Sequence, residues 1–363
     1  MSSLFDPITF RGGAVAPNRL GLAPMTNLQS HEDGTLGDDE LAWLARRADG
    51  GFGVVSTCAA FVALDGKGFP GQLGIHDDRC LPGLERLAAR LGRGGALSIV
   101  QLYHGGVRAP SKLTGAQPWS AGVFHEDGKS FEVPRAATEI DLARVLDDFT
   151  AAAIRAERAG FGGVELHGAH GYLFSQFLSA TMNQRGDDWG GAPFAHRARL
   201  LREATRRVRA AVAAPFVVGV RVSPEDFGYA KGLDLDETLE LARWLCEDGV
   251  DYIHLSLWEY HAKTKKRPDQ HPLTLFRAAV PREVPLFAAG QIWTRPEAEA
   301  VLDLGGDVAV IGRAAVGNPD WPRDATSTIW EPRRPPYPAA DLNAAAVSPV
   351  FVEYLRRWKG FVA

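Results

Sequence analysis

The chain has 363 residues, 45% hydrophobic and 23% charged, with 40 Lys plus Arg against 44 Asp plus Glu for a net charge of -4. That apolar content can bury a large core and excludes wholesale disorder, and a near-neutral balance with no long basic block argues against a nucleic-acid partner. Cys58, Cys80 and Cys246 form neither a C-x-x-C pair nor metal-finger spacing, which argues against disulfides and an iron–sulfur site. Neither a signal-peptide pattern at Met1-Ser-Ser-Leu-Phe-Asp-Pro nor a membrane-length apolar run occurs, so a cytoplasmic protein without a membrane partner is expected.

Taken in chain order, apolar runs predict strands at Leu20 to Ala23, Gly53 to Ser56, Ala96 to Leu102, Gly163 to Leu166, Phe216 to Val222, Tyr252 to Leu255, Pro285 to Ala289 and Val308 to Ile311. Helical patterns lie between them. Residues 138 to 159 put Leu142, Val145, Leu146, Phe149, Ala153 and Ala156 on one face, with Thr138 as N-cap and Gly160 as stop. Residues 234 to 248 open with Asp234 and Glu237 in an approximate capping box and end at Gly249. Eight strands alternating with helices predict an α/β fold, a single (β/α)8 TIM barrel over residues 18 to 322, with an N-terminal cap segment. Long loops at 103 to 137 and 256 to 271 are expected over the C-terminal mouth. The Pro-rich stretch Glu331 to Pro338 cannot be helical and leads to a last helix, Ser348 to Lys359, within a tail over 323 to 363; the whole chain is read as one domain.

In such a barrel the residues at the strand ends converge on one pocket: Pro24, Met25, Thr26, Ala59, Gln101, His167, His170, Arg221, Ser256, Gly290, Gly312 and Arg313. The set holds donors and cations but few acids, so it suits an electron-rich, anionic ligand. Strands seven and eight each end in Gly before a helix, where backbone N–H groups can approach a phosphate, and Arg313 would add a charge-assisted contact. By themselves these glycines could equally serve tight turns. His167-Gly-Ala-His170-Gly-Tyr172 follows strand four. Its two imidazoles could bind metal with Glu165, but no further ligand is evident and no metal is expected. They could instead hold a carbonyl oxygen while Tyr172 supplies a proton, which suits reduction of an activated alkene. Gly66-Lys-Gly-Phe-Pro-Gly71 matches G-x-G-x-x-G but contains Pro70 and opens no helix, so it is read as a loop.

Asn18-Arg-Leu-Gly-Leu-Ala-Pro-Met-Thr26, Gln101-Leu-Tyr-His104, His167-Gly-Ala-His-Gly-Tyr-Leu173, Asn183-Gln-Arg-Gly-Asp-Asp-Trp-Gly-Gly191 and Ile311-Gly-Arg313 together resemble the signatures of the Old Yellow Enzymes, the NADH:flavin oxidoreductases. The resemblance implies noncovalent FMN, its ring among Pro24, Met25, Thr26, Ala59, Gln101, His167 and Arg221 and its phosphate on Ala289, Gly290, Gly312 and Arg313. It further implies NADH or NADPH as reductant and an enone or enal as oxidant, with His167 and His170 on the substrate oxygen and Tyr172 as proton donor. Leu28, Cys58 and Trp258 depart from common family residues at positions that bear on substrate choice; Cys58 is read as a buried small hydrophobe rather than a redox thiol. Arg356 and Arg357 are read as a solvated helix face, and a homo-oligomer is left open. The alternatives are an FMN barrel that oxidises or demethylates another substrate, a non-flavin lyase or isomerase, and a phosphate-ligand sensor. A Schiff-base lyase would want a Lys at a strand end, and none is there.

Overall fold

The structure, a computed structural model, describes residues 3 to 124 and 131 to 363. Eight parallel strands close into a barrel, β1 (Leu20–Leu22), β2 (Val54–Phe61), β3 (Leu97–Tyr103), β4 (Gly163–Gly168), β5 (Val217–Val222), β6 (Tyr252–Ser256), β7 (Leu286–Ala289) and β8 (Val308–Ile311). Closure comes from β8 pairing β1, Ala309 opposite Leu20 and Ile311 opposite Leu22. Every barrel strand is buried along its length, as expected when one face lines the interior and the other lies under helices.

Those helices are α1 (Asp38–Asp49), α2 (Leu81–Arg93), α3 (Glu139–Arg158), α4 (Phe194–Ala211), α5 (Leu235–Glu247), α6 (Pro272–Ala279), α7 (Arg295–Asp303) and α8 (Arg313–Gly317). Thr138 caps α3 in a reciprocal capping box with Asp141, and Gly160 ends it at φ +86. Asp234 caps α5 by accepting from the N–H groups of Asp236 and Glu237, but the Glu237 carboxylate turns to Arg197 instead of completing the box. The short final helix, α9 (Pro349–Leu355), begins at its Ser348 cap and ends well before Lys359.

All eight predicted strands are present, with shifted ends. β2 runs on to Phe61 across a bulge between Ser56 and Ala59, so Ala59 sits inside a strand rather than after it. The Thr57 hydroxyl fills the bulge, accepting from Gln101 N–H at 3.3 Å and donating to the Cys58 carbonyl at 2.7 Å. Below the barrel, an N-terminal hairpin (Ile8–Thr9 with Val15–Ala16) drives Phe10 against Tyr252 and Phe287 and plugs the opening. Gly219 on β5 makes room for Tyr252: a Cβ there would lie 2.1 Å from its ring. The loop predicted over 103 to 137 carries two short helical turns and a small two-stranded pair at Trp119–Ser120 and Arg135–Ala136. Among the described residues no helix is long and apolar enough to cross a membrane.

Candidate functional site

A cavity of about 360 Å³ opens at the C-terminal ends of the strands. Its floor is Pro24, Met25 and Thr26 after β1, with Arg221 of β5 and Ser256 of β6; one end is Ala289, Gly290, Gly312 and Arg313. Its roof, not foreseen from the sequence, comes from the C-terminal segment: Phe351, Tyr354, Leu355 and Trp358. Tyr354 reaches Thr26, and burial pushes its phenol up against the opposing effect of that hydrogen bond.

Ala59, Gln101, His167 and Tyr172 do not line this cavity directly but form the adjoining wall. Ala59 lies opposite Gln101 in the β2–β3 register and packs with Phe61, Tyr103 and Tyr172. The His167 ring is 4.9 Å from that of His170 and 5.0 Å from that of Tyr172. His170 takes a left-handed conformation, φ +64, followed by Gly171 at φ +72, where a Cβ would strike the Tyr229 carbonyl at 2.3 Å. That turn lets strand four end in two imidazoles and a phenol aimed at one place.

Burial, helped by Arg221 and Arg108 and, for His167, by the neighbouring His170, pulls both imidazoles well below the ordinary histidine range, so both are neutral. Ala169 N–H donates to His167 Nδ1 at 3.4 Å, which leaves the ring proton on Nε2. Ser256 Oγ accepts from Arg221 Nη2 at 3.0 Å and lies 2.6 Å from His170 Nε2, so its hydroxyl links the cation to the second imidazole. Tyr172 packs edge-on against Tyr103 at 4.5 Å, while the Arg108 guanidinium covers its ring at 4.4 Å and donates to the His170 carbonyl at 2.8 Å.

The Cys58 thiol is buried and pushed well up by burial and the neighbouring Glu40, which suits a packing role rather than a thiolate. Trp258 is 60% exposed and leans on Phe227 with ring centroids 4.1 Å apart, so an aromatic pair borders the mouth. Arg356 and Arg357 are exposed. Glu165 is committed to Gln101, Tyr252 and His254, and among the described residues no group of three or more His, Cys, Asp or Glu could hold a metal ion.

Three features test the fit of a flavin mononucleotide. Arg221 is buried with Nε lacking any partner, a donor waiting for an acceptor edge. At Gly312 a Cβ would make ordinary contact with Ala23 Cβ at 3.7 Å, and α8 starts there with no side-chain cap on its first backbone N–H groups. Arg313 beside it is exposed at the mouth, its pKa lowered by partial desolvation against the pull of Glu259, and such a cation gains from a phosphate. Gly290 is needed for packing as well: a Cβ would come within 2.8 Å of Tyr260 N. The residues present fit FMN.

Comparison with known proteins shows the family. Residues 3–331 match the NADH:flavin oxidoreductase / NADH oxidase family. The chain is 38% identical over 325 residues to the Bacillus subtilis protein named "Probable NADH-dependent flavin oxidoreductase YqiG", covering 88% of this chain and 86% of that one. It is 33% identical over 358 residues to the NADPH dehydrogenase of Bacillus licheniformis, covering 98% of each. The solved old yellow enzyme homologue from Zymomonas mobilis superposes with a TM-score of 0.82 at 29% identity, over 96% of this chain and 99% of that one. The chain therefore belongs to the NADH:flavin oxidoreductase / NADH oxidase family, as an FMN-binding Old Yellow Enzyme barrel and an NAD(P)H-dependent oxidoreductase.

Proposed function

We propose that the protein reduces the activated C=C bond of α,β-unsaturated carbonyl compounds at the expense of NADH or NADPH, the whole chain working as one FMN-binding domain. The observation that carries this reading is the juxtaposition of two neutral imidazoles, His167 and His170, with the phenol of Tyr172, whose ring lies 5.0 Å from that of His167. Bound FMN supplies the hydride chemistry, accepting from the nicotinamide and delivering to the alkene. Pro24, Met25, Thr26, Ala59 and Gln101 would hold its ring, with Arg221 against the edge that becomes anionic on reduction; Gly290, Gly312 and Arg313 would take its phosphate. His167 and His170 donate to the substrate carbonyl oxygen and polarise it, which drains electron density from the β-carbon. Tyr172 gives its hydroxyl proton to the α-carbon.

Neutral imidazoles suit this task because each offers an N–H to a ketone or aldehyde oxygen without adding a charge to a buried pocket. The same pair should hold a phenolate oxygen over the flavin. Replacing His167 and His170 together by Ala is expected to abolish the long-wavelength absorbance that phenols induce in the yellow holoprotein and to weaken phenol binding about 100-fold. Unchanged phenol binding in the double variant would remove both residues from the oxygen pocket. The exposed Trp258 and the half-buried Phe227 beside the mouth favour substrates with an apolar or aromatic body beyond the enone.

A further inference from the structure

Two positions before His167 on β4, and so on the same inward face, stands Glu165, 1% exposed. Its carboxylate is fully engaged. Oε1 accepts from Gln101 Nε2 at 2.7 Å, and Oε2 accepts from the Tyr252 hydroxyl at 3.0 Å and lies 2.9 Å from His254 Nδ1. A carboxylate offers only acceptors, so the His254 proton sits on Nδ1, and its Nε2 is left without a partner. In the β4–β5 register Glu165 faces Gly219 and His167 faces Arg221. The acid therefore lies one pleat below the buried guanidinium whose Nε has no partner.

Two consequences follow. An amide has one donor end and one acceptor end; the Nε2 hydrogen bond to Glu165 fixes which way the Gln101 amide is turned and leaves Oε1 for whatever it meets on its other side. Independently, burial, opposed by Glu165, lowers the pKa of Arg221, and the hydrogen bonds from His254 and Gln101 together with the charge of Arg221 hold Glu165 ionised despite its burial. The His254 imidazole is held neutral by burial. This sealed layer thus carries one cation and one anion, and the cation is already compensated before any ligand arrives.

We propose that Glu165 is a positioning residue for the flavin: it presents the Gln101 carbonyl oxygen to the N3–H of the pyrimidine edge and, as the counter-charge of Arg221, keeps the flavin's reduction potential lower than Arg221 alone would set. The proposal rests on the reading that places the ring on Gln101 and Arg221. It is a separate claim because Glu165 touches neither substrate nor cofactor. A negative charge beneath the ring disfavours the anionic reduced form relative to the neutral oxidised form, so its removal shifts the balance between them.

Two variants of the reconstituted holoprotein separate charge from position. Glu165→Gln keeps the length and an acceptor for Gln101 but removes the charge. It is expected to strengthen binding of reduced over oxidised FMN about tenfold, which for a two-electron couple raises the midpoint by about 30 mV in dye equilibration. Glu165→Asp keeps the charge and withdraws the acceptor by one methylene. It is expected to weaken FMN binding about tenfold, by fluorescence titration of the apoprotein, while leaving the ratio for the two redox states unchanged. If both variants alter only the melting temperature, Glu165 is structural and the proposal is overturned. Arg221→Met tests the underlying reading: if it moves neither FMN affinity nor potential, the ring placement fails and takes the proposal with it, whereas an effect there and none at Glu165 sinks the proposal alone. A fourth measurement needs no variant. N3-methyl FMN has no N3–H and should bind the unaltered apoprotein at least tenfold more weakly than FMN; equal affinity would overturn the assigned Gln101 orientation.

Discussion

Tyr172 can serve as a proton source only if its ring stays fixed while the ligand turns over. Tyr103 meets it edge-on, Arg108 covers one face, and the left-handed turn at His170 and Gly171 sets where it emerges. Tyr172→Phe keeps all of these contacts and removes only the hydroxyl. It is expected to slow alkene reduction about 100-fold while leaving flavin reduction by NAD(P)H within about twofold, measured as separate half-reactions by stopped flow. Equal loss in both would dismiss the proton-donor role. At this scale the sequence was legible where chemistry is local: His167, His170 and Tyr172 stand within one short motif after a strand. Arg108 and Ser256 were not legible as their partners. Arg108 meets His170 across 62 residues and Ser256 meets it across 86, and no periodicity in the chain encodes such distances.

At the level of elements, the apolar runs marked all eight barrel strands but misjudged several ends. Ser256 belongs to β6, His167 and Gly168 to β4, and β2 runs five residues beyond Ser56 to Phe61. Hydrophobic patterning fades at a polar end, whereas the backbone ladder continues where that polar side chain finds a buried partner, as Ser256 does with Arg221 and His170. Arg47 illustrates the same limit from a helix. Wholly buried on α1, it donates to the carbonyls of Ala315 and Val316 on α8, of Trp43 on its own helix, and of Ala345 in the tail, with its guanidinium 3.4 Å above the Trp43 ring. This one side chain ties the helix that begins at Gly312 to the segment that carries the roof. Arg47→Met leaves those carbonyls dry and unpaired, and is expected to cost about 3 kcal/mol in denaturant unfolding. FMN affinity should fall with it, because α8 loses its anchor; a variant as stable as the parent would show that the tie is idle.

For the molecule as a whole, length left the number of domains open and the alternation of eight apolar runs with helical patterns pointed to a barrel; the sheet closes as eight parallel strands. The role of the tail was the least legible feature. A helix with Phe351, Val352 and Leu355 on one face announces that it packs somewhere, but the pattern does not say that the place is the mouth of a barrel whose first strand lies more than 300 residues earlier. Ending the chain after Val347 should leave the barrel strands paired and strip the roof from the cavity. The expected result is far-ultraviolet dichroism close to that of the full chain together with FMN binding weakened at least tenfold, read by fluorescence titration; undiminished affinity would mean that the roof only shields the site.

The roof over the cavity also fixes an order of events in the cell. Residues that complete the cavity, Phe351 to Trp358, leave the ribosome only after every strand of the barrel has been made. A nascent chain can thus close its sheet while its flavin site is still an open bowl, and firm capture of the cofactor is deferred until translation has passed the tail.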